Sequence, residues 1–240
     1  DLNIIKNGPM ERRKFMDSEL CQLNKFYLLQ LMNYNKVVIQ RNKLLKDLPF
    51  TGSLKDTLDI WDDQMVFYGT SLIEEREKFI LQINNILREI HLNLTGGKEE
   101  IQLIYEPNVK KEDLKKQLFQ GRDRDLKFKL SSVGPHRDDF CIRVNGIDIR
   151  RFGSQGQQRS AALSLKLSEI YLVKNIIKDK PVLLLDDVLS ELDSSRQNYL
   201  LKSIDRIQTF ITCTGMDEFI HNQFTVNKVF EIVNGTVQNQ

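Results

Sequence analysis

The sequence predicts an α/β protein in which a parallel sheet wound with helices carries a long helical arm. Three observations predict it. Val182 to Leu185 is a wholly apolar run entered through Pro181, the pattern of a strand buried on both faces of a parallel sheet. Ser154-Gln155-Gly156-Gln157-Gln158-Arg159 opens a helix that Ala161, Leu163, Leu165, Leu167, Ile170 and Leu172 carry onward, with Ser154 as N-cap and Gly156 permitting close backbone approach. Two apolar stripes at helical spacing fill most of the first hundred residues.

In chain order, Leu2-Asn3-Ile4-Ile5 is a short apolar piece stopped by Gly8-Pro9, and reads as the tail of an upstream domain. Leu20, Leu23, Tyr27, Leu31, Tyr34 and Val38 step by three and four along one long helix that Asp47-Leu48-Pro49 ends. Leu58, Trp61, Met65, Tyr68, Leu72, Phe79, Ile83, Ile86 and Ile90 form the facing stripe, with a break near Glu75-Arg76 and an end at Gly96-Gly97. Burial alone produces this spacing, so the stripe aromatics are core residues of an antiparallel arm. Glu99 to Glu106 alternates as a strand, and Lys111 to Gln120 reads as a short charged helix. Leu126, Phe128 and Leu130 alternate as one strand and Phe140, Ile142 and Val144 as another, with Asn145-Gly146 as a hairpin turn. Between them Gly134-Pro135-His136-Arg137-Asp138-Asp139 gathers charges that must pair or bind something; a surface loop satisfied by its own ion pair and a binding loop both fit. Ser194 to Ile207 reads as helix, Thr209 to Thr214 as a buried strand ending before Gly215, and Val229 to Val233 with Asn234-Gly235 as an edge hairpin.

Composition bounds the function. A chain of 240 residues with 40% hydrophobic content can bury a substantial core. Its apolar runs are far shorter than a membrane helix needs, and no signal sequence opens it. Lys and Arg total 35 against 33 acidic residues, so a nucleic-acid face would have to come from local clustering. Arg12-Arg13-Lys14, Arg41-Lys43, Lys110-Lys111-Lys115-Lys116 and Arg150-Arg151 are the clusters to consider, each also readable as a solvated face. Cys21, Cys141 and Cys213 are odd in number and widely spaced, which fits a reduced cytoplasmic setting. The chain opens at Asp1 without Met, as a piece of a longer protein would.

The chemistry concentrates in two places. Asp186 and Asp187 close the apolar strand, where open α/β sheets bind ligands and where Mg²⁺ is held by carboxylates plus substrate phosphates. The Ser154 loop opens a helix whose free N–H groups and dipole favour an anion. In order, Ser154 to Gln157, a helix of some twenty residues, Leu183-Leu184-Leu185-Asp186-Asp187 and Ser190-Glu191-Leu192-Asp193 resemble the signature motif, Walker B strand and D-loop of ABC-type ATPases. That resemblance implies the C-terminal part of an ABC-type ATPase head lobe with an inserted long-helix arm: residues 1–14 as the tail of the head lobe, 15–98 as the arm and 99–240 as the rest of the head.

A closer resemblance runs along nearly the whole chain. Asn7-Gly8-Pro9-Met10-Glu11-Arg12-Arg13-Lys14-Phe15-Met16-Asp17, residues 34–46, Gly134 to Phe140, Gly153 to Ser160 and Pro181 to Asp193 together are similar to the RecF family of bacterial recombination and repair proteins. The family implies an ATP-dependent DNA-binding protein that forms a homodimer around ATP. It acts with the RecO and RecR proteins to load recombinase at gapped DNA, and serves replication restart and the SOS response. Two departures stand out. The sequence has no G-x-x-x-x-G-K-[ST], so this chain alone is expected to be inactive. Thr212 and Thr214 occupy the place where ABC-type ATPases carry a γ-phosphate-sensing histidine, and His221 lies too far along to replace it.

By the resemblance, Asp186 holds Mg²⁺ and Asp187 is the general base, in a place where many relatives use Glu. Ser154 and Gly156, with Gln155 and Gln157, touch the γ-phosphate of ATP held by the opposite subunit. Ser190 to Asp193 cross the dimer interface. Two other classes compete with this reading. A transporter nucleotide-binding subunit would lack so long an arm, and a non-enzymatic DNA- or protein-interaction module is compatible with the missing phosphate loop.

Overall fold

The computed structural model describes residues 2–47, 55–178, 181–204, 207–214 and 226–239. The Leu48-Pro49 helix stop, Gly215 and His221 lie outside the described residues. The opening apolar piece is a short helix, α1 (Asn3–Lys6), with Ile5 in the core. The first stripe is divided between α2 (Pro9–Leu23) and α3 (Lys25–Asp47). Asn24 divides it: its Oδ1 accepts from the Phe26 and Tyr27 amides at 2.9 and 3.2 Å, and its Nδ2 donates to Glu75 at 3.0 Å. A capping side chain competes with helix continuation, which apolar spacing does not register.

The expected break near Glu75-Arg76 is absent, because α4 (Lys55–Leu94) runs unbroken for 40 residues, about 60 Å. Arg76 interrupts the apolar stripe because it turns inward, where Asp17, Tyr27 and Asp138 surround it. Arg41 meets Asp62 and Tyr27 meets Arg76, so α3 and α4 run antiparallel. One apolar cluster continues from this hairpin into the sheet: Phe15 packs at 6.3 Å on Phe79 and at 6.0 Å on Phe140.

The sheet under α4 is antiparallel, in the order β1 (Ile101–Glu106), β2 (Asp139–Val144), β3 (Ile147–Asp148). Ile101 faces Val144 and Glu106 faces Asp139. Asn145 and Gly146 turn β2 into β3 with φ of +49° and +79°, the left-handed pair that a tight hairpin requires. A 3₁₀ turn (Lys111–Asp113) leads into α5 (Leu114–Gln120). The strand expected at Leu126, Phe128 and Leu130 is instead helix α6 (Arg122–Phe128). Its alternation was misleading: Phe128 is exposed, while the buried member is Asp125, whose carboxylate bonds Arg41 and Ser132.

The chain then forms α7 (Ile149–Phe152), the long α8 (Gln155–Ile177) and β4 (Leu183–Asp186). α8 is enclosed on two sides. Ala161, Leu165 and Leu172 join the large core, while Leu163, Leu167 and Ile170 join a second one with Ile90, Leu94, Leu185, Leu200 and Leu201. After a 3₁₀ turn (Leu189–Glu191), α9 (Ser194–Ser203) leads to β5 (Thr209–Thr212), which pairs in parallel with β4. Burial on both faces, expected for Val182 to Leu185, is not met: Leu185 is buried, but Leu184 is 72% exposed. β4 has one strand neighbour among the described residues and one covered face. Likewise β5 leaves Phe210 half-exposed rather than buried. A hairpin of β6 (Phe230–Val233) and β7 (Thr236–Asn239) closes the chain.

Candidate functional site

Ser154 is the N-cap of α8 and forms a reciprocal capping box. Its Oγ accepts from the Gln157 amide at 3.2 Å, and its own amide donates to Gln157 Oε1 at 3.0 Å. The two flanking glycines differ in purpose. A Cβ on Gly153 would strike Ile149, so that glycine serves the fold. Among the described residues a Cβ on Gly156 would meet only Ser154 Oγ, at 3.9 Å, so none of them requires a glycine there. Ser154 and Gln155 are exposed, and the capping box leaves the N–H groups of Gln155 and Gly156 for an outside anion.

Asp186 and Asp187 are exposed at the end of β4. Thr212, opposite Asp186 across the β4–β5 pair, holds both. Its Oγ1 donates to Asp186 Oδ1 at 2.5 Å and accepts from the Asp187 amide at 3.1 Å, while its carbonyl accepts from that amide at 3.2 Å. Asp187 has φ of +51°, a left-handed conformation that Asp tolerates better than most residues and that swings the chain out of the strand. Ser190 Oγ then donates to the Asp187 carbonyl at 2.9 Å. Asp193 caps α9, accepting from the Arg196 amide at 3.0 Å and from its Nη1 at 2.9 Å. Asp186, Asp187, Ser190 and Asp193 lie along one short segment from the end of β4 to the start of α9, and among the described residues no hydrogen bond joins them to Ser154–Gln157.

The donor set suits Mg²⁺ bound through substrate phosphates and water. Among the described residues no group of three or more His, Cys, Asp or Glu side chains converges to hold a metal. Asp186 offers one exposed, hard carboxylate beside a hydroxyl, as Mg²⁺ prefers when it keeps its waters. Sequence reasoning saw Thr212 only as a departure from a histidine. The signal available was a Thr at the strand end in parallel register with the first carboxylate.

A second residue that escaped notice is Glu99. Its Oε1 accepts from Gln157 Nε2 at 3.2 Å, and its Oε2 lies 3.3 Å from Nε2 of the buried His91. Burial lowers the His91 pKa, and Glu99 partly opposes that. Glu99 also lines an open cleft with Lys98, Asp193 and Arg196.

The Gly134–Asp139 loop resolves to a structural role different from a self-paired surface loop. Asp138 is buried and accepts from Arg76, Tyr105 and the Asn108 amide. Asp139 pairs with Arg12 at 2.6 Å and Arg150 at 3.1 Å. His136 lies 2.8 Å from the Tyr34 hydroxyl and 3.0 Å from the Ser131 carbonyl, and Arg137 donates to that same carbonyl. The loop buckles α2, α3 and α4 to the sheet. The same bonds correct the basic clusters. Arg12, Arg41 and Arg150 are engaged by Asp139, by Asp62 with Asp125, and by Asp148, while Lys111 and Lys115 pair with Glu74 and Asp63. Lys14, Lys43, Lys110, Lys116 and Arg151 are exposed.

No family model matches the sequence. The chain is 58% identical to the DNA replication and repair protein RecF of Lachnospira eligens, over all of this chain and 67% of that protein. It is 56% identical to that of Agathobacter rectalis, over 99% of this chain and 66% of that protein. It spans about two thirds of the length of these curated relatives. A solved structure of the recombination mediator protein RecF with ATP, in the RecFOR pathway, superposes with a TM-score of 0.88 and 37% identity, covering 100% of this chain and 65% of that one.

Proposed function

Because the chain belongs to the RecF family of DNA replication and repair proteins, we propose that the whole protein is an ATP-dependent DNA-binding protein of recombinational repair and replication restart. ATP draws two copies into a homodimer on gapped DNA, single-stranded or duplex at the junction. There it acts with RecO and RecR to load recombinase in the cytoplasm, and feeds the SOS response. The chain is organised as the tail of the head lobe (1–14), the arm (15–98) and the rest of the head (99–240). Among the described residues no helix is long and apolar enough to cross a membrane, in keeping with this reading.

The observation that carries the proposal is the open first turn of α8, where Gly156 leaves room for a group from outside the chain. Ser154, Gln155, Gly156 and Gln157 receive the γ-phosphate of ATP held by the partner copy, by helix N-terminal N–H groups and side-chain donors. Asp186, whose Oδ1 accepts from the Thr212 hydroxyl, would hold Mg²⁺. Bound Mg²⁺ would supply neutralisation of charge on the phosphate oxygens. Asp187 accepts the proton of the attacking water as general base. An Asp reaches one methylene less far than a Glu, which suits the slow turnover of a switch. Ser190 and Asp193 sit where the two copies meet, so that ATP is the bond between them.

Ser154→Arg tests the reading in the whole protein. A bulky cation on the first turn of α8 should leave ATP affinity of the monomer in place while ATP-induced dimerisation and tight DNA binding fail together. A dimer in ATP by size-exclusion chromatography would overturn the trans role of this loop.

A further inference from the structure

Taking Ser154–Gln157 as the loop that meets the partner's nucleotide, as proposed above, we infer that Glu99 is the positioning residue of that loop. The Gln157 side-chain amide is gripped at both ends. Its Oε1 is fixed by the Ser154 amide, so its Nε2 must find an acceptor elsewhere, and Glu99 Oε1 supplies it at 3.2 Å. A carboxylate accepts and cannot donate, which forbids the flipped amide and selects the orientation that caps α8. An alanine at 99 would leave Gln157 Nε2 without this acceptor, so the side chain that fixes the Ser154 backbone would be held at one end only.

Glu99 is itself held from behind. Its second oxygen lies 3.3 Å from Nε2 of His91, whose other ring nitrogen lies 2.9 Å from Ser164 Oγ in α8. Neither Glu99 Oε2 nor His91 Nε2 makes a well-aligned hydrogen bond, so this contact confines Glu99 by proximity. His91 stands in the last turn of α4, and Glu99 follows the left-handed Gly96-Gly97 that ends the helix. The carboxylate is mostly buried, with 18% of its side chain exposed. It therefore stands between the end of the arm helix and the loop, beside Lys98, Asp193 and Arg196 of the neighbouring cleft. A residue kept only for surface charge would not be covered and aimed in this way.

The test is made in the whole protein with Glu99→Ala, Glu99→Gln and Glu99→Asp, reading ATP affinity of the monomer and the ATP concentration at half-dimerisation separately. Glu99→Ala should raise the second by about tenfold or more while moving the first by less than about twofold. A general loss of folding would move both. Glu99→Gln keeps an acceptor for Gln157 Nε2 and should restore most of the dimerisation. Glu99→Asp, one methylene short of Gln157, should behave as the alanine variant, and carries the test if alanine does not fold. Dimerisation of Glu99→Ala at the wild-type ATP concentration would overturn the inference, as would equal impairment of the Gln and Ala variants. Ser154→Arg measured alongside separates the two claims. If it dimerises, the loop reading fails; if it does not while Glu99→Ala does, the role of Glu99 alone fails.

Discussion

Arg76 Nη1 lies 2.9 Å from Asp138 Oδ2, and water reaches 2% of the one side chain and none of the other. The pair joins the middle of α4 to the loop before β2. Arg76 also donates to Asp17 at 2.8 Å, to the Tyr27 hydroxyl at 3.0 Å and to the Pro135 carbonyl at 2.7 Å, so three segments distant in sequence close on one guanidinium. Burial raises the Asp138 pKa, and Arg76 opposes that rise.

Arg76→Met should therefore destabilise the protein far more than a surface change would. Removing one partner leaves a buried carboxylate without its cation, a change that costs about 3–5 kcal/mol. Urea unfolding of the 240-residue chain measures it. A loss near that of a surface ion pair, below about 1 kcal/mol, would mean the buckle contributes little.

Stability should also fall in mild acid through His136. Burial pushes its pKa down to about 4, against about 6.5 in an unfolded chain. Between those values the unfolded chain takes up a proton that the folded one refuses. The stabilisation is thus complete above pH 6.5 and lost as pH falls toward 4, up to about 3 kcal/mol. Glu169, raised by burial to about 8, acts oppositely: the folded chain takes its proton first, so stability rises as pH drops from 8 toward the ordinary carboxylate range. Comparing wild type with His136→Gln from pH 7 to pH 4 isolates the first effect. Parallel pH profiles for the two proteins would refute it.

The sequence carried the second half of the molecule better than the first. Ser154 as cap, the helix behind it and the strand ending in Asp186 are all local patterns, and each is present. Asn24 cuts a continuous stripe by a local cap that apolar spacing does not register, whereas Arg76 turning inward is a tertiary fact, set by Asp138, 62 positions away. The same holds of the alternating Leu126, Phe128 and Leu130. Their pattern matched a strand by chance, and the fold was decided by Asp125 bonding Arg41 of a helix 84 residues earlier. Thr212 and Glu99 were invisible for a related reason. Neither belongs to a motif, and each matters only through the residue it touches.

The carboxylates should separate by role in the whole protein. Asp187→Asn should bind ATP with Mg²⁺ and hold the dimer, with hydrolysis lowered at least about a hundredfold, the scale of a lost general base. Asp186→Asn should weaken Mg²⁺-dependent binding as well. Steady-state ATPase assays and sizing in ATP distinguish them, and normal turnover in Asp187→Asn would remove that residue from the base position.

The 240-residue chain on its own should bind ATP weakly, hydrolyse none above background and stay monomeric in its presence. Phosphates need a ring of backbone N–H groups and a Lys, and the sequence has no G-x-x-x-x-G-K-[ST] to supply them. Asp186 and Asp187 repel phosphate unless Mg²⁺ bridges them. Calorimetry with and without Mg²⁺ decides the matter, and tight binding by this chain would place the nucleotide site elsewhere.

Where α8 passes α4 it buries Ser160, Ser164 and Ser168, one turn apart on a single face. Ser160 and Ser168 send their hydroxyls back to carbonyls of their own helix, Gly156 and Ser164. Ser164 alone of the three reaches across, to His91. Small side chains satisfied internally make a smooth bearing, and one lateral bond makes a pin. Two helices joined in this way are held by their apolar contacts, and an axial shift of α8 along α4 would also have to break the bond between Ser164 and His91.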